Sequence, residues 1–146
     1  MTGPFLFTQA VLPSMRQHAW GRIINIASVQ GKRGDPGKVA CCSANHGLIG
    51  LTRVAALETA ADGITVNAIC PGVVDTPHVR NQLVDLAALH GLAKDEVIAR
   101  FFLPLVPQGR LLDPQEIAAM PRYLASDEAR GITGQAINVS AGWIMH

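Results

Sequence analysis

Apolar residues occur along this chain in short β-branched runs that alternate with stretches of helical periodicity. The runs are bounded by glycine, proline or charged residues, which is typical of buried strands. The predicted strands cover residues 22–27, 64–69 and 135–139. Helical spacing of apolar residues predicts helices over residues 5–20, 39–61 and 113–126.

Residues that end or begin helices support these boundaries. Gly63 follows the second helix and is suited to a left-handed C-terminal cap. Asp113 stands where an N-cap is expected, with Pro114 at the first helical position and Glu116 at capping-box spacing. Pro121 lies inside the last helix, where it is expected to interrupt or kink the chain.

The order of elements predicts an α/β protein with a parallel sheet flanked by helices, because each strand is separated from the next by a helix. Right-handed crossovers are expected between the strands. Residues 78–102 carry helical periodicity broken at Gly91, so we expect two short helices within a lid segment at about residues 77–110. At 146 residues, the chain is predicted to form a single domain.

Composition excludes several classes of partner. The formal net charge is +1, which favours neither nucleic acid nor an anionic membrane, and no run approaches the ~20 apolar residues of a membrane span. The three cysteines form no CxxC motif, and the five histidines show no metal-ligand spacing. We therefore expect a cytoplasmic protein without a metal site. The hydrophobic fraction, 49%, predicts more apolar surface than the chain buries alone.

Four segments, in order, carry a resemblance to a known family. They are GPFLFTQAVLPSM, GRIINIAS, NAICPGVVDTP and LASDEARGITGQAINVSAGW. Together they resemble the carboxyl-terminal half of classical short-chain dehydrogenases/reductases, and most closely bacterial-type 3-hydroxybutyrate dehydrogenases. The resemblance implies the last three strands of a Rossmann-type parallel sheet, with NAD or NADP as cofactor and a small hydroxy or keto acid as substrate.

The resemblance also implies catalytic positions, and two of them are changed. Ser28 stands at the family's serine position, but Cys41 occupies the tyrosine position thirteen residues later, and Asn45 occupies the lysine position four residues beyond. In the family, a lysine one helical turn from the tyrosine lowers its pKa. Asparagine carries no charge, so the proton-exchange pair is predicted to be lost.

The same resemblance implies cofactor and substrate contacts. Pro71, Gly72, Val74 and Thr76 match the family's nicotinamide-binding loop, while no glycine-rich diphosphate turn occurs anywhere in the chain. Lys38 and Gln82 stand at positions that hold the substrate carboxylate in 3-hydroxybutyrate dehydrogenases. Gln30 replaces a histidine that contributes there.

Three hypotheses follow. The first is a truncated oxidoreductase that is inactive in isolation. The second is a noncatalytic module that uses its first two helices to form a homo-oligomer or to join a full-length paralogue. The third is a fragment whose other half is encoded upstream. Where the preceding strands of the family's sheet are absent, the first strand is expected to be an exposed sheet edge.

Overall fold

The computed structural model describes residues 1–146 and contains one parallel sheet. Its strands are β1 (Gly21–Ile26), β2 (Ile64–Pro71) and β3 (Ala136–Val139), in the order β1-β2-β3. The register pairs Gly21 with Ile64 and Ala68 with Ala136. The prediction of an α/β fold with three parallel strands is confirmed.

Helices cover both faces of the sheet. They are α1 (Thr2–Gln17), α2 (Val39–Thr59), α3 (Pro77–His90), α4 (Lys94–Val97) and α5 (Pro114–Leu124). Short 3-10 turns follow β1 and α2, and a π-helical turn follows α4. No helix has the length and apolar character required to cross a lipid bilayer.

The core has two sides that meet at the central strand. On one side, Ala55 and Ala56 of α2 pack with Ile64 and Val66. On the other, residues of α5 and the turn after it pack with Ile69. The central strand β2 is buried from Ile64 to Cys70 for this reason.

The two crossovers have opposite hands. Both connections cross the sheet in the same direction, because β2 lies beside β1 and β3 lies on the far side of β2. The first connection passes over one face of the sheet through α2, and the second passes over the other face through α5. Two connections that run in the same direction over opposite faces have opposite hands. The expectation of right-handed crossovers throughout is therefore wrong for one of the two connections.

Helix α1 begins and ends three residues before its predicted limits. The chain leaves the helix after Gln17, and Ala19 takes a left-handed backbone conformation (φ 48°) that turns the chain into β1. Alanine gives no sequence signal for such a turn, so the helix was predicted to extend to residue 20.

The start of α5 forms as predicted, whereas Pro121 does not end the helix. The Asp113 side chain accepts from the Gln115 amide at 2.7 Å, and Glu116 accepts from the Asp113 amide at 2.8 Å. The helix continues through Pro121 to Leu124. Its buried side, which includes Leu124, packs against β2 and compensates for the missing backbone donor.

The lid predicted at about residues 77–110 contains helical turns, and Gly91 ends α3 in a left-handed conformation (φ 64°). A parallel bridge between Val74 and Leu112 connects its two ends. The Leu112 amide also donates to the Val73 carbonyl at 2.9 Å. The lid therefore leaves and rejoins the body of the protein beside the carboxyl end of β2.

Candidate active site at the carboxyl edge of the sheet

The carboxyl ends of β1 and β2 place two predicted site segments side by side. The Ala27 amide donates to the Ile69 carbonyl at 2.8 Å, so the strand pairing continues beyond β1. This register places Ser28 beside Pro71. In open parallel α/β sheets, ligands bind at this edge.

Ser28 caps the short 3-10 turn formed by Val29–Gly31. Its Oγ accepts a hydrogen bond from the Gln30 amide at 3.1 Å. The hydroxyl proton is not used in this contact, because the oxygen acts as the acceptor. Ser28 is therefore a cap residue whose hydroxyl proton is not used in the cap.

Cys41 and Asn45 lie one turn apart on α2, as the spacing predicts. Asn45 Nδ2 donates to the Cys41 carbonyl at 2.9 Å and lies 3.5 Å from Cys41 Sγ. The Asn45 amide is thus held against its own helix. Cys41 is exposed, and the hydrogen-bond partner of its thiol is the uncharged Asn45 amide.

The turn containing Gln30 packs directly on α2. A Cβ added to Gly31 would lie 2.9 Å from the Asn45 carbonyl oxygen, so only glycine allows this approach. The contact brings the Ser28 turn and the Cys41–Asn45 pair to the same part of the structure.

Gln30 is buried, and both ends of its amide have partners. Its Nε2 donates to Asp35 Oδ2 at 2.9 Å, and its Oε1 accepts from Cys42 Sγ at 3.3 Å. The sequence did not indicate Asp35 or Cys42 as members of the site. Their contacts depend on the fold of a glycine-rich loop, which has no periodic pattern.

The other two predicted substrate residues are not brought into contact with Gln30. Lys38 is the exposed N-cap of α2 and makes no side-chain hydrogen bond. Gln82 lies on α3 in the lid, where its Nε2 is 2.9 Å from His78 Nε2. His78 and Gln82 are four residues apart on a predicted helix, and this spacing is the feature of the sequence from which their contact could have been predicted.

The predicted nicotinamide loop is shaped mainly by contacts within the protein. The Gly72 amide donates to the Val139 carbonyl at 3.0 Å, and a Cβ on Gly72 would lie 2.9 Å from Ser140 Cα. Thr76 caps α3 by accepting from the Val79 amide at 3.4 Å. Close packing against Ser140 is thus sufficient reason for glycine at position 72.

Three groups near this loop have shifted pKa values. Arg80 donates to both carboxylate oxygens of Asp75, at 2.7 and 2.9 Å, which lowers the pKa of Asp75 and raises that of Arg80. Burial raises the pKa of the Cys70 thiol, opposed mainly by the charge of Lys32. Cys70 is therefore a neutral packing residue beneath the site.

No group of three histidine, cysteine, aspartate or glutamate side chains is arranged to hold a metal ion.

Comparison with known proteins identifies the family. A family model described as Enoyl-(Acyl carrier protein) reductase matches residues 1–144. The chain is 52% identical over 143 residues to an uncharacterized oxidoreductase, YxjF, of Bacillus subtilis, covering 98% of this chain and 56% of that protein. It is 40% identical over 143 residues to a D-beta-hydroxybutyrate dehydrogenase of Rhizobium meliloti, covering 98% of this chain and 55% of the relative.

Solved structures agree with this result. A variant of the actinorhodin polyketide ketoreductase with NADPH matches with a TM-score of 0.90 and 38% identity, over 98% of this chain and 55% of the other. The sorbitol-6-phosphate 2-dehydrogenase of Erwinia amylovora matches with a TM-score of 0.91 and 32% identity, over 100% of this chain and 57% of the other.

The chain belongs to the short-chain dehydrogenase/reductase family of oxidoreductases. It spans about half the length of the curated relatives that it matches and resembles their carboxyl-terminal half.

Proposed function

We propose that this chain forms the substrate-facing half of an NAD(P)-dependent oxidoreductase for small 3-hydroxy and 3-oxo acids, and that it does not catalyse the reaction by itself. The observation that carries this proposal is the position of Ser28 at the carboxyl edge of the sheet, against an α2 helix that bears Cys41 and Asn45. The substrate class is supported by D-beta-hydroxybutyrate dehydrogenases among the relatives.

The proposed inactivity follows from the chemistry of the Cys41–Asn45 pair. Exchange of a proton with a substrate oxygen requires an acid of suitable reach and pKa. A thiol side chain is much shorter than a phenol, and the Asn45 amide supplies no positive charge to stabilise a neighbouring anion. Ser28 can orient a substrate oxygen, but this pair is not suited to complete the transfer.

The residues of this chain fit only a small part of the cofactor. A nicotinamide dinucleotide accepts or donates the hydride in this class of reaction. Its diphosphate requires a glycine-rich turn between a strand and a helix, and no such sequence is present. The surface that this chain offers the cofactor is limited to the nicotinamide end, at Pro71, Gly72, Val74 and Thr76.

The substrate contacts are also proposed on the basis of resemblance. Lys38 is exposed and free to bind a carboxylate, and Gln82 is carried on the lid. Gln30 is less suited to this role, because Asp35 and Cys42 already engage its amide. The Asp35 carboxylate beside Gln30 would oppose binding of an anionic substrate at that point.

An assay of the purified chain tests this proposal. Incubation with 3-hydroxybutyrate and NAD⁺ or NADP⁺ should give no NADH or NADPH above the rate without protein. Turnover at ordinary enzymatic rates would show that the proposal of inactivity is wrong.

The role of the changed pair is tested separately. The Cys41→Tyr, Asn45→Lys double variant should gain activity when the chain is joined to the amino-terminal half of the Bacillus subtilis relative. A matched Ser43→Tyr, Asn45→Lys variant should not, because Ser43 lies at a different angle on α2. Equal activities of the two joined variants would contradict the assignment of position 41.

All three cysteines are free thiols, which supports a cytoplasmic location.

The alternative role, as a noncatalytic module, is supported by exposed apolar side chains on the first two helices. Phe5, Leu6, Val54 and Leu57 are each about half or more exposed. Such side chains favour association with another helix pair. The same surface serves a homo-oligomer, so it does not by itself favour a noncatalytic role over an oxidoreductase.

A further inference from the structure

A cavity with a basic wall lies between α2, the turn after β1 and the chain beyond β3. Its volume is about 330 Å³, which is at the lower end of the ~300–1,000 Å³ typical of small-molecule sites. Four of the residues that line it are basic, namely Lys32, His46, Arg53 and His146, and none is an aspartate or a glutamate. The cavity therefore has the size of a small ligand and the charge to attract an anion.

This cavity is separate from the candidate active site. None of the residues assigned to catalysis, cofactor or substrate lines it. Lys32 contacts Ala136 of β3, and Arg53 also lines a depression beside the segment that leads into β3. The cavity therefore lies on the β3 side of α2, whereas β1 is on the other side of β2.

Lys32 is held in place at the wall of the cavity. Its Nζ donates to the Ala136 carbonyl at 2.6 Å and to the main-chain oxygen of His146 at 2.7 Å. An ammonium group has three donors, and these two contacts leave one of them for a ligand. Because the side chain is already fixed, little of its conformational entropy is lost when an anion binds.

Arg53 and His46 are seven residues apart on α2 and therefore lie on the same side of the helix. The four ion pairs of the molecule are all formed by other residues, so no carboxylate neutralises Arg53. His46 Nδ1 lies 2.9 Å from the Cys42 carbonyl oxygen and must carry the ring proton, which leaves Nε2 for a ligand. An anion among these groups would supply the counter-charge that the protein does not provide.

The buried Cys70 thiol shows that two of these charges act on the same region. Burial raises the pKa of Cys70, and the charges of Lys32 and Arg53 both act against that rise. Lys32 follows the turn after β1 and Arg53 lies on α2, so different elements bring the two charges together.

We propose that this cavity binds a phosphate group, either as inorganic phosphate or as part of a small phosphomonoester, through Lys32, Arg53 and His46. A guanidinium presents paired donors that match two phosphate oxygens, and an ammonium adds a point charge. Donors from three side chains suit a tetrahedral group with several oxygens better than a carboxylate with two. This inference is independent of the proposed substrate and of catalytic competence.

Titration of the purified chain, followed by amide NMR, tests this inference. The probes are inorganic phosphate and glycerol phosphate, with acetate as the control anion and the ionic strength held constant with chloride. Phosphate should produce saturable shifts of the Gly31 and Gly50 amides, and acetate should bind at least tenfold more weakly. Equal affinities for phosphate and glycerol phosphate would assign the site to the free ion, whereas tighter binding of the ester would assign it to a phosphomonoester. Shifts that do not saturate with either phosphate probe, or equal binding of acetate, would overturn the inference.

Substitution of Arg53 tests the contribution of its charge. Arg53→Gln should weaken phosphate binding by about tenfold or more, the ratio that corresponds to loss of one charge-assisted hydrogen bond. Arg122→Gln is the matched control, because Arg122 is also exposed and without an ion pair but does not line the cavity. Equal weakening by the two variants would show that phosphate responds only to net charge and would overturn the inference.

A second substitution leaves the basic residues unchanged and locates the site independently. Gly50 lines the cavity, and a Cβ added to it would have no atom within 4 Å, so Gly50→Glu places a carboxylate there without a clash. This variant should also weaken phosphate binding by tenfold or more. Gly3→Glu is the control, since Gly3 lies in α1 with equally open space and is not part of the cavity. Unchanged binding by Gly50→Glu would overturn the inference.

Discussion

Gly72 shows how one residue can serve packing and a candidate binding loop together. Its backbone lies so close to Ser140 that a methyl group would be only 2.9 Å from Ser140 Cα. The Pro-Gly pair alone predicted a turn, and the resemblance assigned it to the cofactor. The structure adds a third reason for glycine, since the start of the lid connection and the end of β3 meet there.

Replacement of Gly72 by alanine should destabilise the protein. Because the neighbouring atoms belong to the backbone, relief requires a main-chain shift, and we expect a loss of about 1–3 kcal/mol in the free energy of unfolding. Denaturant titration measures the change. Gly50→Ala is the control, since Gly50 lies in α2 with no atom within 4 Å of the added methyl group. That variant should gain roughly 0.5–1 kcal/mol. A neutral Gly72→Ala variant would show that the contact is relieved easily.

Sequence reasoning at the scale of single residues succeeded where the signal is local. The capping residues Asp113 and Glu116 were predicted from their spacing, and the structure confirms both contacts. The partners of Gln30 were not predicted, because Asp35 lies in an irregular loop and Cys42 on a helix beyond it. Such contacts depend on tertiary placement rather than on any repeating pattern.

At the scale of elements, the strands were predicted well because each is a short apolar run with clear breakers. The end of one helix and the effect of a proline inside another were less predictable. Ala19 ends α1 through a left-handed conformation that glycine or asparagine would have signalled. Pro121 remains inside α5 because packing of the helix on the sheet compensates for a lost hydrogen bond.

The N-terminus of α5 should make stability depend on acid pH through Glu116. Arg110 and the Asp113 amide both donate to this carboxylate, which lowers its pKa from 4.5 to about 2. Because the folded-state pKa is depressed, the carboxylate stabilises the fold fully above pH 4.5. Its contribution falls as the pH decreases from 4.5 and is lost near pH 2.

The Glu116→Gln variant tests this dependence. It should be less stable than the parent protein at neutral pH, and the difference should shrink between pH 4.5 and 2 as the parent carboxylate is protonated. Thermal unfolding across this pH range measures both proteins. Glu58→Gln is the control, because the Glu58 side chain accepts no hydrogen bond and forms no ion pair. A constant difference between the parent and Glu116→Gln at all pH values would contradict the role of the charge.

At the scale of the whole molecule, only 28 of 146 residues are buried. The high apolar fraction of the sequence predicted that the chain would leave apolar surface uncovered, and α1 illustrates this, since Thr8 is its only buried residue.

The opposite hands of the two crossovers could not be predicted. Hand depends on which face of the sheet each helix covers, and the apolar pattern of a helix does not specify that face.

The exposed surface of α1 and α2 predicts self-association. Leu57 on α2 is 83% exposed, and Leu6 on α1 is 53% exposed. Burying such side chains against a second copy would remove apolar area from water at ~25 cal/mol per Å². Sedimentation equilibrium should therefore show a dimer or larger species that Leu57→Lys dissociates. Leu89→Lys, on α3 and 76% exposed, is the matched control and should leave the assembly intact. A parent chain that remains monomeric at high concentration would contradict self-association, and equal dissociation by both variants would contradict the location of the interface on α1 and α2.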